Sequence, residues 1–274
     1  MSLEINITTV NRNEITAPTP LYKYRSWTND HHKSILTART VWMAPPSSFE
    51  DEKEFRNFKR YDLMSNTEIY NKYLAMSLDH NPSWTRQQHR AHAREMTKHP
   101  PFRNQKYLKE HQERSYNEYD KRIGVLSLTA IKDSFEMWDY YSDKGNGFSV
   151  GFDTLTLFKY MGSGGEVVYP PDGLPVIYGT DDFMVERWKQ VYNKEQKWEW
   201  EQEYRVELFN PNGLTSTLRK VVLPPECYRE VIFGWKIPEE HKIAIREACK
   251  QSGLAVNYFQ SSLKDGVIII EAVE

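Results

Sequence analysis

Residues 194–207 read KEQKWEWEQEYRVE, and this stretch decides how the fold is interpreted. Apolar and charged residues alternate along it. Successive side chains of a β-strand point to opposite faces, so the alternation predicts a strand over 198–209. One face would carry Trp198, Trp200, Gln202, Tyr204 and Val206, and the other Glu199, Glu201, Glu203, Arg205 and Glu207.

The charged face of this predicted strand has two interpretations. A half-buried strand commonly turns such a face to water, where the charges are solvated. Alternatively, carboxylates gathered on one face repel each other, which favours a cationic partner or ligand and raises carboxyl pKa values in a cleft. In that case Glu201 and Glu203, flanked by Arg205, are the candidate catalytic residues. The residue pattern alone leaves both interpretations open.

The rest of the chain predicts an α+β fold around this strand. Strand patterns at 21–25, 123–129 and 148–152 do not alternate regularly with helices, which indicates a mixed or mainly antiparallel sheet. Helical segments rich in Glu, Lys, Arg, Gln and Met interrupt the sheet. We therefore predict an N-terminal arm over 1–20, an α+β core over 21–50 and 121–274 ending in a strand–helix–strand–strand unit, and a helical insertion over 51–120.

Composition excludes several classes of protein. With 274 residues, 39% hydrophobic and 27% charged, the chain is neither disordered nor of low complexity. No apolar run approaches the roughly 20 residues of a membrane helix and the N-terminus lacks a signal-peptide pattern, so we expect a cytoplasmic protein that does not contact a membrane. Two cysteines without CxxC spacing and scattered histidines predict neither a disulfide framework nor a metal site.

A basic helix is predicted within the insertion. Residues 81–122 contain ten Lys or Arg against five Asp or Glu. Arg86, Arg90, Arg94 and Lys98 recur every four residues and form one cationic stripe, which is either a solvated face or a clamp for a phosphate backbone. For the second case, Tyr107, Tyr116 and Tyr119 are candidates for stacking on bases.

Aromatic residues at helical spacing form a further candidate group. Trp138 and Tyr141 lie three residues apart in a predicted short helix and therefore share a face. Such pairs are typical of a core, which is the interpretation for Trp138. Stacking on a ligand ring is the alternative, above all for Tyr141.

Several phrases of the sequence, taken in order, resemble the bacterial domain-of-unknown-function family 2971, which has no settled activity. The resemblance begins at Leu21 and covers most of the chain. One departure follows Phe49, where family members often read FNDP and this chain reads FEDE. The phrases that carry the resemblance are LYKYR at 21–25, FED at 49–51, LS at 126–127, MWxxY at 137–141, GFxxGFD at 147–153, KxxxWxxExEYR at 194–205 and IFG at 232–234.

A second, fold-level similarity is to ADP-ribosyltransferases, which use a basic residue on an early strand, a hydroxyl residue on a middle strand and a glutamate on a late strand. Arg25, Ser127 with Thr129, and Glu201-x-Glu203 follow that order. The similarity implies that Arg25 holds the phosphates of NAD, Glu203 binds a ribose hydroxyl and Glu201 orients the acceptor. It also implies that Tyr24 or Tyr141 stacks on the nicotinamide.

These patterns lead to two functional hypotheses. In the first, the protein binds a nucleotide such as NAD and transfers or hydrolyses its ribosyl group, as a toxin or phage-defence effector does. In the second, it is a non-catalytic module that binds nucleic acid or a protein partner through the basic helix at 86–98.

Overall fold

The computed structural model of the protein describes residues 17–274. Most of the predicted arm, residues 1–16, lies outside the described residues. Across 17–274 the chain forms a large mixed sheet, a two-stranded sheet and helices that pack around them. The protein therefore has the predicted α+β fold.

The large sheet is mainly antiparallel. The strands are, in chain order, β1 (Leu21–Arg25), β2 (Thr40–Trp42), β3 (Ile123–Thr129), β4 (Phe148–Phe152), β5 (Gly165–Glu166), β6 (Glu203–Phe209), β7 (Lys220–Val222), β8 (Tyr228–Phe233), β9 (Asn257–Lys264) and β10 (Val267–Val273). Strands β2 and β7 pair separately, and the others are ordered β10-β9-β8-β4-β1-β3-β6-β5. Within that order β8 and β9 are parallel and the remaining neighbours are antiparallel.

Helices lie on both sides of the sheet and in the insertion. They are α1 (Asp30–Thr37), α2 (Asn66–His80), α3 (Arg86–Lys98), α4 (Gln105–Arg122), α5 (Phe135–Tyr141), α6 (Thr154–Met161), α7 (Phe183–Val191) and α8 (Glu239–Gln251). The order β8, α8, β9, β10 is the predicted strand–helix–strand–strand unit. Helix α8 provides the long crossover that the parallel β8–β9 pair requires.

The two faces of the sheet carry different residues because side chains alternate along each strand. On one face Phe148, Val206 and Val231 pack with residues of α6 and α8 in the main core. On the other face Tyr22 and Tyr24 pack against residues of α5. This second face positions the site described below.

The helical insertion has a small core of its own. Ile69, Tyr73, Ala93, Phe102 and Leu108 form its buried cluster. Helices α2 and α3 are also joined by a buried hydrogen bond of 2.7 Å between Ser77 Oγ and His89 Nδ1.

Three tyrosines that the sequence offers for base stacking contribute to packing instead. Tyr107 packs against the insertion core, Tyr116 is buried beside Ile123, and Tyr119 packs on the same cluster. Tyr116 and Tyr119 thus fill the interior between the insertion and the sheet, whereas Tyr107 is half-buried on the insertion core.

The predicted strand over 198–209 is half wrong. Residues Gln196–Glu201 form a 3-10 helix, and Gln202 ends it with a positive φ of 40°. The strand begins only at Glu203. The alternation of residue types continues through both elements, so periodicity alone did not reveal where the helix ends and the strand begins.

Candidate functional site

A cavity of about 210 Å³ lies on the side of the sheet that carries Tyr22 and Tyr24. We call it the carboxylate cavity because five acidic side chains line it: Glu50, Asp51, Glu54, Glu201 and Glu203. Its other polar or aromatic lining residues are Tyr22, Lys23, Tyr24, Ser48, Phe49, Ser127, Thr129, Tyr141, Lys194 and Trp198.

The cavity lies where two central strands separate. Strands β1 and β3 share a single residue pair, Tyr22 with Thr129, although β1 pairs with β4 over its full length. Beyond that pair, Lys23 bridges the two strands, with Nζ donating to the carbonyl oxygen of Ser127 at 2.6 Å. The Lys23 side chain therefore connects β1 and β3 where backbone hydrogen bonds between them are absent, and the strands are separated there.

The charged face of β6 faces the interior. Glu203, Arg205 and Glu207 alternate along β6 and are all buried, with Arg205 fully inaccessible. The register with β3 places Thr129 opposite Glu203 and Ser127 opposite Arg205, on the same face. The interpretation of these charges as a solvated strand face is therefore wrong for the part of the stretch that forms β6.

Arg205 holds Glu203 in place. Its Nε donates to Glu203 Oε1 at 2.8 Å and its Nη2 to Oε2 at 2.9 Å, and Nη2 also contacts Glu54. The Nη1 atom donates to the carbonyl oxygen of Val191 at 2.6 Å. Burial lowers the pKa of Arg205 to about 9, so it stays a cation at neutral pH. A bidentate pair of this kind fixes both the position and the orientation of the carboxylate.

Lys194 joins the two glutamates. Its Nζ donates to Glu201 Oε2 at 2.5 Å and to Glu203 Oε2 at 3.4 Å. Burial opposes the charge on this amine, but Glu203 and Glu201 outweigh burial and raise the pKa of Lys194 above its ordinary value. For Glu203 burial dominates, and its pKa is raised despite the neighbouring Lys194. The cavity thus holds a permanent cation beside a carboxyl group that binds protons more readily than usual.

Tyr141 is a hydrogen-bond donor to Glu201. Its hydroxyl donates to Glu201 Oε1 at 2.5 Å. Burial and the adjacent Glu201 raise the pKa of Tyr141, so the phenol keeps its proton. The backbone of Glu201 is also held, because Thr129 Oγ1 donates to its carbonyl oxygen at 2.6 Å. Glu201 therefore has a defined position although it lies outside the strand.

The segment 48–54 forms the remaining wall. Trp198 Nε1 donates to Asp51 Oδ2 at 2.9 Å, Tyr140 donates to Glu50, and Glu54 is buried against Arg205. Sequence reasoning missed Glu54, Asp51 and Lys194 as site residues. Lys194 begins the acidic stretch 194–207, which contains five glutamates, whereas no local pattern marks Glu54.

The structure brings six of the predicted site residues to the carboxylate cavity: Tyr24, Ser127, Thr129, Tyr141, Glu201 and Glu203. The Ser127 Oγ atom is buried and has no hydrogen-bond partner among the described residues. It lies close enough to Glu203 to lower the pKa of that carboxyl against the effect of burial, so a ligand in the cavity can reach both groups.

Three predicted site residues do not line the cavity. Arg25 donates from Nη1 to the carbonyl oxygen of Tyr24 at 3.2 Å, and burial lowers its pKa to about 10. Trp138 is fully buried, donates to the carbonyl oxygen of Lys132 at 2.9 Å and meets the Tyr24 ring edge-on. Arg205 supports Glu203 without reaching the lining. Arg25 thus gives no phosphate contact inside the cavity, and Trp138 belongs to the core.

The predicted nucleic-acid-binding residues lie elsewhere. Arg86, Arg90, Arg94 and Lys98 are exposed on α3, and none of them lines the carboxylate cavity. The two candidate surfaces are therefore separate.

Neither a metal site nor a membrane segment is found in the described part of the chain. Within 17–274, no group of three or more His, Cys, Asp and Glu side chains is arranged to hold a metal ion. No helix in the same range has the length and apolar character needed to cross a membrane.

Comparison of the chain with protein-family models, curated proteins and solved structures finds no match.

Proposed function

We propose that the protein cleaves the bond between ribose and nicotinamide in a nucleotide such as NAD and passes the ribosyl group to water or to another acceptor. The observation that carries this proposal is the carboxylate cavity, in which Glu201 and Glu203 lie beside Tyr141, Ser127 and Thr129. Two positioned carboxylates are the usual means of cleaving a glycosidic bond.

The charges of the cavity favour a cationic ligand. Five carboxylates line it against two lysines, and the buried Arg205 behind the lining adds a third cation, paired with Glu54 and Glu203. Carboxylates therefore still outnumber cations. Burial and the nearby Arg25 hold the pKa of Lys23 well below its ordinary range, which reduces its positive charge further. The pyridinium ring of oxidised nicotinamide is a cation and so matches this environment, as does the positive charge that develops on ribose during cleavage.

The size of the cavity favours one end of the nucleotide. Its volume is about 210 Å³, below the roughly 300–1,000 Å³ of pockets that enclose a whole drug-sized ligand. In the proposal, nicotinamide and its ribose enter the cavity. The diphosphate and adenosine remain outside, in keeping with the absence of Arg25 from the lining.

The proposed reaction assigns a role to each polar group. The bond between ribose C1′ and the pyridinium nitrogen breaks, and its electron pair neutralises the ring. Glu201 stabilises the oxocarbenium-like carbon that results. Water or an acceptor hydroxyl then forms the new bond at C1′ and releases its proton to Glu203, whose pKa burial raises above the ordinary value of a glutamate.

The test is the release of nicotinamide from NAD by the purified protein, with water alone and with protein or nucleic acid offered as acceptor. We expect Glu201→Gln to lower the rate by about 100-fold or more. The matched control is Glu199→Gln, because Glu199 lies on the same 3-10 helix, is exposed and does not line the cavity. If the protein releases no nicotinamide under any of these conditions, or if both variants keep the wild-type rate, the proposal is wrong.

A further inference from the structure

We propose that the solvent-facing side of α3 binds the phosphate backbone of a nucleic-acid duplex, independently of the carboxylate cavity. The surface consists of Arg86, Arg90 and Arg94, one helical turn apart, with Lys98 at its end. All four are exposed, whereas His89 and Ala93 on the adjacent side of the helix are buried.

The three arginines lack acidic partners. Lys98 pairs with Glu95 at 2.7 Å, but Arg86, Arg90 and Arg94 have no carboxylate within 4.0 Å among the described residues. Some other cations of the insertion are paired, as Lys59 is with Glu186 and Arg60 with Asp62. The stripe therefore presents positive charge that nothing in the described chain neutralises.

This arrangement destabilises the helix. Like charges four residues apart cost a helix about 0.2–0.5 kcal/mol per pair. Arg86 also stands in the first turn, where the helix dipole disfavours a cation, and that turn contains no acidic residue. The capping box at this end uses the neutral Gln88 with Thr85. A polyanion bound to the stripe would reduce both the repulsion between the arginines and the unfavourable interaction of Arg86 with the helix dipole. Residues that destabilise their own helix in this way are expected at functional sites.

The geometry favours a nucleic-acid backbone over other polyanions. Residues four apart along a helix are separated by about 6 Å, so the stripe presents a row of regularly spaced cations, as a nucleic-acid backbone presents a row of regularly spaced anions. A membrane-binding helix must insert an apolar face, but the apolar side of α3 packs on α2 through Ala93 and His89. Because Tyr107 and Tyr116 are engaged in packing, base stacking on a single strand is not favoured.

The test measures binding of a fluorescein-labelled DNA duplex of about two helical turns by fluorescence anisotropy at several salt concentrations. For three arginine–phosphate contacts, wild-type affinity should fall by roughly 40-fold between 50 and 200 mM salt. In the variant Arg86→Glu, Arg90→Glu, Arg94→Glu the affinity should be lost. The variant Arg86→Gln, Arg90→Gln, Arg94→Gln should bind more weakly, with a salt dependence reduced by about three counterions.

The matched control reverses three exposed cations that lie elsewhere, with Lys220→Glu, Lys250→Glu and Lys264→Glu. It changes net charge equally and should retain most of the affinity. Circular dichroism checks that each variant is folded. If the triple Glu variant does not fold, the triple Gln variant provides the comparison with the wild type. The proposal is overturned if the control and stripe variants lose equal affinity, if the wild type does not bind the duplex at 50 mM salt, or if single-stranded DNA or anionic vesicles bind more tightly than the duplex.

Discussion

Glu54 and Arg205 are separated by 151 residues in the sequence but form a buried ion pair beside the carboxylate cavity. Arg205 simultaneously holds Glu203 in a bidentate pair. One guanidinium thus joins the wall segment 48–54 to strand β6. The shape of the cavity and the stability of the fold depend on the same side chain.

Arg205→Met should strongly destabilise the protein. It leaves Glu54 and Glu203 buried without their main cation, and breaking a buried ion pair costs about 3–5 kcal/mol. The control is Arg229→Met, which breaks the half-exposed pair of Arg229 with Asp153 and should cost less than about 1 kcal/mol. Urea unfolding gives both free energies. Equal losses in the two variants would contradict a central role for Arg205.

Lys23 should make stability depend on pH. Its pKa lies well below the ordinary 10.5 in the folded protein, so between these two pKa values the unfolded chain binds more protons. Stability should therefore rise with pH in that window, by up to about 1.4 kcal/mol per pH unit, and reach its full value above pH 10.5.

The measurement for Lys23 is the free energy of unfolding of the wild type and of Lys23→Met at several pH values from neutral upward. As pH rises, the free energy of unfolding of the wild type should increase relative to that of Lys23→Met. Parallel pH curves would show that Lys23 stays protonated in the folded state.

Tyr141→Phe should destabilise the protein by about 1–3 kcal/mol, because Glu201 Oε1 loses its donor while it stays buried. Tyr140→Phe is the neighbouring control. Tyr140 is about half exposed and also donates to a carboxylate, Glu50, but water can replace that bond. In thermal unfolding, the midpoint temperature of Tyr141→Phe should therefore be clearly lower than that of Tyr140→Phe. The reverse order would contradict the role given to Tyr141.

Ser127→Ala should affect turnover more than stability. The Ser127 Oγ atom lines the cavity and makes no hydrogen bond of standard geometry among the described residues. Its polar neighbour there is Glu203, whose pKa it lowers against the effect of burial, so its loss should cost the fold little. If it binds a ribose hydroxyl, nicotinamide release should fall by about 2- to 10-fold.

Ser149→Ala provides the comparison for Ser127. Ser149 Oγ is also buried without a partner, and its residue pairs with Tyr24 across the sheet, but it does not line the cavity. The Ser149→Ala variant should release nicotinamide at the wild-type rate. A similar loss in both variants would point to packing rather than ligand contact.

Residues 194–207 show which structural features the alternation of residue types predicts and which it does not. Alternation correctly grouped Glu203, Arg205 and Glu207 on one face of β6, because the two-residue period of a strand is a local property. It failed for Glu199 and Glu201, which lie in a 3-10 helix that ends at the left-handed Gln202. Backbone conformation there depends on contacts such as that of Trp198 with Asp51, far away in the sequence.

The amino-acid sequence by itself determined the α+β class and the acidic and basic groups available for chemistry, because periodicity, capping and charge are properties of neighbouring residues. Only the tertiary structure decided that the charges of β6 are buried, that Glu54 and Lys194 join them, and that Arg25 and Trp138 do not reach the cavity. Burial and pairing arise when segments distant in the chain pack together, and the free energy of a buried charge depends on those distant partners.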